Sequence, residues 1–368
     1  MAESSGQALR EVIQAEIRLQ PDQVISFKRY MELCLYHPKF GYYTSSRPKV
    51  GKTGDFYTSS SIGGVMGEML AAYLAAQTSG NDTVTLVEWG GGTGALAGQL
   101  LDQLRDEFPS LYDRLKYISV ETSAYHRELQ RETLASHAAV TSFVLPEQWL
   151  QEGPYQGNVI LSNELLDVFP VDRLVYLQGN WHHVHVGWNE TEESFENRLL
   201  LLEDPVLAGY IKQEGITPLE GQWIEINLGA MEWIGQVADC LADGQIISID
   251  YGDTNHELYA SHRMNGTFLC YRGHQAYDDP YAYPGEQDMT AHVNFSACMR
   301  KGEEHGFFSS LRTQKQFLLE CGILNKLQNV AGGDPFHPAA RKNRAIRQLL
   351  LSDQMSELFK VLVQTKKR

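Results

Sequence analysis

Val84-Thr-Leu-Val-Glu88-Trp-Gly90-Gly91-Gly92-Thr93-Gly94 is the stretch on which the reading of this chain turns. Its β-branched apolar start reads as a buried strand, closed by an acidic residue. Four of the five residues from 90 to 94 are glycine, and the helix formers Ala95-Leu-Ala-Gly-Gln-Leu-Leu follow. Strand, glycine turn and helix N-terminus make a cradle for a nucleotide-like cofactor. Glycine accepts positive φ and lets a ligand approach the main chain closely. The spacing fits two cofactors. Glu88-x-Gly90-x-Gly92-x-Gly94 is the pattern of S-adenosylmethionine enzymes, whereas Gly90-x-Gly92-x-x-Ala95 satisfies the permissive dinucleotide fingerprint. Glu88 separates them, because a carboxylate there can hold an ammonium but repels a pyrophosphate. Glu121 closes the next strand and suits a pair of ribose hydroxyls in either cofactor. S-adenosylmethionine is therefore expected, with an NAD-dependent oxidoreductase as the alternative.

Outward from that turn the chain alternates strands and helices. Strand 84–88, helix 95–107, strand 116–121, helix 123–136, strand 139–144 and strand 158–161 predict a mostly parallel sheet with helices on both faces. Ligands on such sheets bind beyond the carboxyl ends of the strands, where Glu88, Glu121 and Asn163 fall. Upstream, residues 8–19 read as an amphipathic helix stopped by Pro21, and a helical patch over Phe27–Tyr36 runs into the aromatic turn His37–Tyr43. The polar loop Gly51–Ser61 precedes a helix over Gly64–Ala76. Residues 171–226 read as a β-rich insertion. The sheet resumes at Gly244–Gly252, and 263–295, rich in Tyr, Gly, His and Asp, reads as an ordered active-site loop. The division expected is 1–79 as an N-terminal helical cap, 80–175 as the first part of the core, 176–226 as the insertion, and 227–368 as the rest of the core with an active-site loop at 253–300.

Within the insertion, Trp181-His182-His183-Val184-His185-Val186 alternates like a strand. His183 and His185 share one face while His182 faces away, and no acidic residue lies at close spacing. Solvated strand histidines are expected there, and no metal site. Among 368 residues the net charge is −15, which disfavours nonspecific binding to nucleic acid. The five cysteines are scattered without a C-x-x-C pair, so neither a disulfide framework nor a zinc site is indicated. No apolar run approaches a membrane span, and Glu3, Glu11 and Glu16 count against a transit peptide, so a cytoplasmic protein is expected.

Leu161-Ser162-Asn163-Glu164-Leu165-Leu166-Asp167-Val168-Phe169-Pro170 is the second motif. Asn163, Glu164 and Asp167 follow an apolar strand directly. If the methyl acceptor is arginine, its guanidinium keeps its proton near neutral pH, and carboxylates gripping two sides would orient one nitrogen. Glu164 and Asp167 are candidates for that grip, with Asp288 a later contributor. The alternative for Asp167 is a cap on a following helix.

Several segments taken together resemble the MidA-like methyltransferases. They are Gly54-Asp55-Phe56-Tyr57-Thr58-Ser59, the Glu88–Gly94 turn, Ser162–Pro170, Ile249-Asp250-Tyr251-Gly252, Tyr271-Arg272-Gly273-His274 and Pro284-Gly285-Glu286-Gln287-Asp288-Met289-Thr290-Ala291-His292-Val293-Asn294-Phe295. The resemblance runs in order from about residue 26 to 320. It implies a class I, Rossmann-like methyltransferase fold, bound S-adenosyl-L-methionine and methylation of protein arginine, on a complex I subunit in the mitochondrial branch. It also implies cofactor roles for Asp55, Thr58, Ser59, Glu88, Gly90, Gly92, Gly94, Glu121 and Asn163, and acceptor-side roles for Asn163, Glu164, Asp167, Asp288 and His292. Two positions depart from the family pattern. Gly91 replaces the proline of a G-P-G turn, and Thr58-Ser59-Ser60-Ser61 replaces T-S-P-E, so no role passes from that glutamate. A third reading keeps the cofactor as a structural element of an assembly chaperone without turnover.

Overall fold

The computed structural model describes residues 5–45, 64–78, 83–329, 337–352 and 356–367. Asp55, Thr58 and Ser59, with the rest of the loop 51–61, lie outside the described residues. The chain groups into two compact units, each assembled from three stretches.

One unit draws on Tyr57–Leu165, Ile234–Tyr251 and Met299–Arg368. Its sheet runs, edge to edge, Phe308–Thr313, Phe359–Lys366, Gly244–Asp253, Asn158–Asn163, Val84–Trp89, Leu115–Val120 and Thr141–Val144. The last five pair in parallel, while Phe359–Lys366 runs antiparallel to both of its neighbours. This is the α/β architecture with a mostly parallel sheet that the alternation predicts. From Val84–Trp89 the chain adds strands first to one side and then to the other, so the order reverses between Val84–Trp89 and Asn158–Asn163. That reversal opens a crevice beyond the carboxyl ends of the two strands. Leu86, Leu161, Ile247, Ile249 and Val361 from the strands bury against Leu70, Leu100, Leu104 and Phe317 from the helices. Truncating one of these leucines to alanine costs about 2–5 kcal/mol.

The other unit draws on Met1–Phe56, Leu166–Trp233 and Gly252–Cys298. Its five-stranded sheet runs Val24–Ser26, Asn180–Asn189, Asp172–Leu177 and Trp223–Ile226, with Ser194–Leu201 paired to Asn180–Asn189. The helices Ser5–Leu19 and Phe27–Tyr36 bury Leu9, Ile13, Ile17, Phe27, Tyr30 and Met31 in a core shared with Val184, Val186 and Phe195 of the sheet. Ser26 caps the second helix, accepting from Arg29 N at 3.1 Å. Arg173 is buried in this unit, with its guanidinium 4.8–5.1 Å from the rings of Phe27, Trp223 and Phe268 and its Nε 3.3 Å from Glu225. The stacked rings and the carboxylate together offset the cost of removing that charge from water. The insertion is not purely β. Pro205–Gln213 is a helix with Pro205 in its first turn, capped by Asp204, whose Oδ1 accepts from Val206 N at 2.7 Å.

Candidate functional site

Gly90, Gly92 and Gly94 adopt φ of 68°, 53° and 78°, values that L side chains reach only with strain. The three differ in what surrounds them. A Cβ at Gly90 would meet Leu165 Cδ1 at 2.8 Å, and one at Gly94 would meet Gln130 Cγ at 3.3 Å. A Cβ at Gly92 would have nothing within 4 Å among the described residues, so bare backbone is open to a ligand there. Gln130 braces the turn from the helix Ala124–Thr133 and is itself buried. Its Nε2 donates to the Gly92 carbonyl at 2.9 Å, and its Oε1 accepts from Ser119 Oγ at 2.5 Å.

Glu88 lies behind the turn. It is buried, accepts a short hydrogen bond from the Tyr117 hydroxyl, and has Oε2 2.7 Å from where a Cβ on Gly91 would stand. Burial pushes its carboxyl up to about 7, with the charge of Glu121 adding to the rise and the Tyr117 hydrogen bond opposing it. Glu121 ends the neighbouring strand and accepts from Ser123 N at 2.8 Å. Burial raises its carboxyl too, against the N–H groups of Ser123, Thr122 and Gly92 and the charge of Arg127.

Across the crevice stands the end of Asn158–Asn163. Asn163 Nδ2 donates to Glu164 Oε1 at 3.0 Å, and Asn163 Oδ1 is buried with no hydrogen-bond partner among the described residues. Glu164 takes φ 53°, a left-handed conformation rare outside glycine, and its N–H donates to the Ile249 carbonyl at 2.9 Å. Asp250 Oδ2 accepts from Leu165 N at 3.1 Å and holds the same bend. Open backbone at Gly92, the Glu121 carboxylate and the orphaned amide oxygen of Asn163 form a fitting set for an adenosyl cofactor. They offer main-chain approach, an acceptor for hydroxyls and an acceptor for a donor on the ligand.

In the other unit, Asp167 and Asp288 are both buried. Tyr43 donates its hydroxyl to Asp288 Oδ1 at 2.9 Å, and its ring stacks on Tyr36 at 5.7 Å between centroids. Burial pushes the Tyr43 phenol well up, with Asp288 and Asp167 adding to it, and the Tyr271 phenol rises by burial and the same two carboxylates. Two acids of the sequence motifs thus meet around shared tyrosines. The Asp167 carbonyl accepts from Ala291 N at 3.0 Å, and His292 N donates to Thr267 Oγ1 at 3.1 Å. No helix follows Asp167, so the capping alternative falls.

The histidines of the insertion also differ from the expectation. His183 is largely buried, its Nε2 is 3.0 Å from Asp172 Oδ1, and its ring lies 4.5 Å from that of His185. The acidic partner comes from the adjacent strand, a position that spacing along one strand cannot reveal. Among the described residues no cluster of three or more His, Cys, Asp or Glu is arranged to hold a metal. None of the five cysteines is in a disulfide, and among the described residues no helix is long and apolar enough to cross a membrane. Sequence reasoning passed over Gln130, Tyr117 and Tyr43. Only the aromatic density of 36–43 gave a signal, and it was legible as a turn.

Residues 66–312 match the family model described as "Putative S-adenosyl-L-methionine-dependent methyltransferase". The chain is similar to "Protein arginine methyltransferase NDUFAF7, mitochondrial" of Danio rerio, at 24% identity over 91% of this chain and 82% of that protein. The Bos taurus protein of the same name is 29% identical over 81% of this chain and 70% of its own length. A crystal structure from Burkholderia thailandensis bound to S-adenosyl-homocysteine superposes with a TM-score of 0.88 at 32% identity, covering 98% of this chain and 92% of that one. The dinucleotide alternative is thereby set aside. The cytoplasmic placement is overturned as well, because these relatives are named as mitochondrial proteins.

Proposed function

The chain belongs to the S-adenosyl-L-methionine-dependent methyltransferase family, and from that premise we propose that it methylates an arginine of a protein substrate. The observation that carries the acceptor is the pair of buried carboxylates, Asp167 and Asp288, set among Tyr36, Tyr43 and Tyr271. Buried acids suit a planar cation whose N–H edges match carboxylate oxygens in pairs. The names of the relatives support the same acceptor. Under this reading Gly90, Gly92 and Gly94 bring the main chain to the cofactor, Glu121 takes the ribose hydroxyls, and Glu88, ionised above about 7, supplies negative charge behind the turn. Asn163 and Glu164 line the methyl-transfer end. Asp167 and Asp288 orient the guanidinium, and His292, in the same motif as Asp288, serves the acceptor side. The sulfur–methyl bond breaks as the nitrogen–methyl bond forms, and one guanidinium proton is released. The acceptor extends to a respiratory-complex subunit, which the family resemblance implies.

Labelled S-adenosylmethionine incubated with arginine and lysine peptides tests the reading. Label is expected on arginine, located by mass spectrometry. Glu164→Gln is expected to lower turnover by about 10²–10⁴ while leaving S-adenosyl-homocysteine affinity within about twofold. Label on lysine, or equal loss of binding and turnover in that variant, would reject the assignment.

A further inference from the structure

The strand Ser194–Leu201 pairs along its whole length with Asn180–Asn189, from Asn189 opposite Ser194 to His182 opposite Leu201. Its outer edge has no strand partner among the described residues. Natural sheets blunt such edges with proline, lysine or bulges, since a bare row of N–H and C=O groups invites another chain. This edge holds neither proline nor lysine; its two charged residues, Glu196 and Arg198, pair with each other, and beyond them it carries Leu199, Leu200 and Leu201, which are 38%, 40% and 60% exposed. Leu200 also lines a hollow of about 340 Å³ with Pro21, Val24, Trp188 and Arg198. Leu19, two residues before Pro21, is 83% exposed.

The charge around this edge says what covers it. Glu190, Glu192, Glu193 and Glu196 stand at one end and Glu203 and Asp204 at the other. Against them are Arg198, paired with Glu196, and Arg18, paired with Glu190. A second copy added antiparallel would set the acidic turn of each chain against Glu203 and Asp204 of the other, in a molecule of net charge −15. Like charges at both ends oppose that pairing. A basic strand meets the reverse field. We propose that the outer edge of Ser194–Leu201 docks an extended segment of the protein acceptor in which basic and apolar residues alternate, added to the sheet as a further strand. Main-chain hydrogen bonds would supply affinity. Apolar side chains would lie over the leucines while Lys or Arg reach the flanking carboxylates. The inference rests on the acceptor being a protein.

Fluorescence anisotropy of the full chain with a labelled peptide of alternating lysine and valine tests it, against the same peptide with glutamate for lysine. Micromolar binding of the lysine peptide is expected, weakening as salt rises. The glutamate peptide should not bind. The double substitution Leu199→Ser, Leu201→Ser should weaken binding about tenfold. Hydrogen exchange should show alternate amides of Ser194–Leu201 slowing on peptide addition, a signature that loose electrostatic attraction cannot give. These variants should still methylate acetyl-arginine amide at the wild-type rate. Docking is read from anisotropy and exchange, and transfer from label, so either reading can fail alone. Equal binding of both peptides, unchanged exchange at the edge, or sedimentation showing a dimer that the leucine substitutions dissolve would overturn the proposal.

Discussion

Glu88 is where burial and charge oppose each other most sharply. Its carboxyl is pushed from 4.5 up to about 7 although a tyrosine hydroxyl donates to it. The folded protein therefore keeps a proton that the unfolded chain has already lost between those values. The stability this confers is complete below 4.5, falls as pH rises toward 7 and is level above. Glu88→Gln, which cannot ionise, should show a shallower fall in melting temperature than the wild type across that window. Parallel melting curves for the two would sink the argument. Tyr43 makes a different point. Its hydroxyl donates to Asp288 at 2.9 Å, while its ring contacts Tyr36 and Tyr42 independently. Tyr43→Phe removes the hydroxyl and keeps the rings, leaving a buried carboxylate short of a donor at a cost of about 1–3 kcal/mol. As a positioning residue, Tyr43 should raise KM for an arginine peptide about tenfold when so changed, because 1.4 kcal/mol is a factor of ten. S-adenosyl-homocysteine affinity should not move. A change in kcat with KM intact would reject that role.

At the scale of elements, the glycine turn is held in shape by a helix rather than by itself. Ala124–Thr133 buries His126 and Gln130, and Gln130 ties the Gly92 carbonyl to Ser119 on the neighbouring strand. Gln130→Leu should weaken S-adenosyl-homocysteine binding about tenfold by calorimetric titration, from the loss of roughly one buried hydrogen bond at the turn. Wild-type affinity in that variant would mean that the turn stands alone. This helix also marks where legibility in the sequence ends. The strands at 84–89, 115–120 and 158–163 could be read because parallel strands covered on both faces are written as short, mainly apolar runs rich in Val, Ile and Leu. The glycine spacing is equally local. Gln130 could not be read, because its helix has no apolar stripe and a buried glutamine looks in sequence like an exposed one. Pro205–Gln213 was missed although Asp204-Pro205 is a start signal, since the surrounding alternation pointed to strands. Tyr43 and Asp288 are 245 residues apart, and nothing short-range in the chain announces their bond.

At the scale of the whole molecule, the residues proposed for the cofactor and those proposed for the acceptor fall in different compact units. The residues proposed to bind the cofactor that lie within the described structure, Glu88, Gly90, Gly92, Gly94, Glu121 and Asn163, belong to the unit with the parallel sheet. Asp167, Asp288, His292 and the tyrosines around the two acids belong to the unit with the five-stranded sheet. A ligand that binds only folded protein stabilises what it binds by RT ln(1 + [L]/Kd), about 2.7 kcal/mol at a hundredfold excess over Kd. S-adenosyl-homocysteine at that excess should therefore raise the melting temperature by a few degrees. The same free energy should appear as slower proteolysis within Tyr57–Leu165, the stretch that holds the turn. NAD at equal concentration should change neither, because its pyrophosphate would have to lie against Glu88 and Glu121, two carboxylates within electrostatic reach of each other. Glu121→Ala should abolish most of the shift given by S-adenosyl-homocysteine, while Asp288→Asn in the other unit should leave it intact. Equal stabilisation by NAD, or a shift that survives Glu121→Ala and is lost in Asp288→Asn, would invert this assignment of the two units.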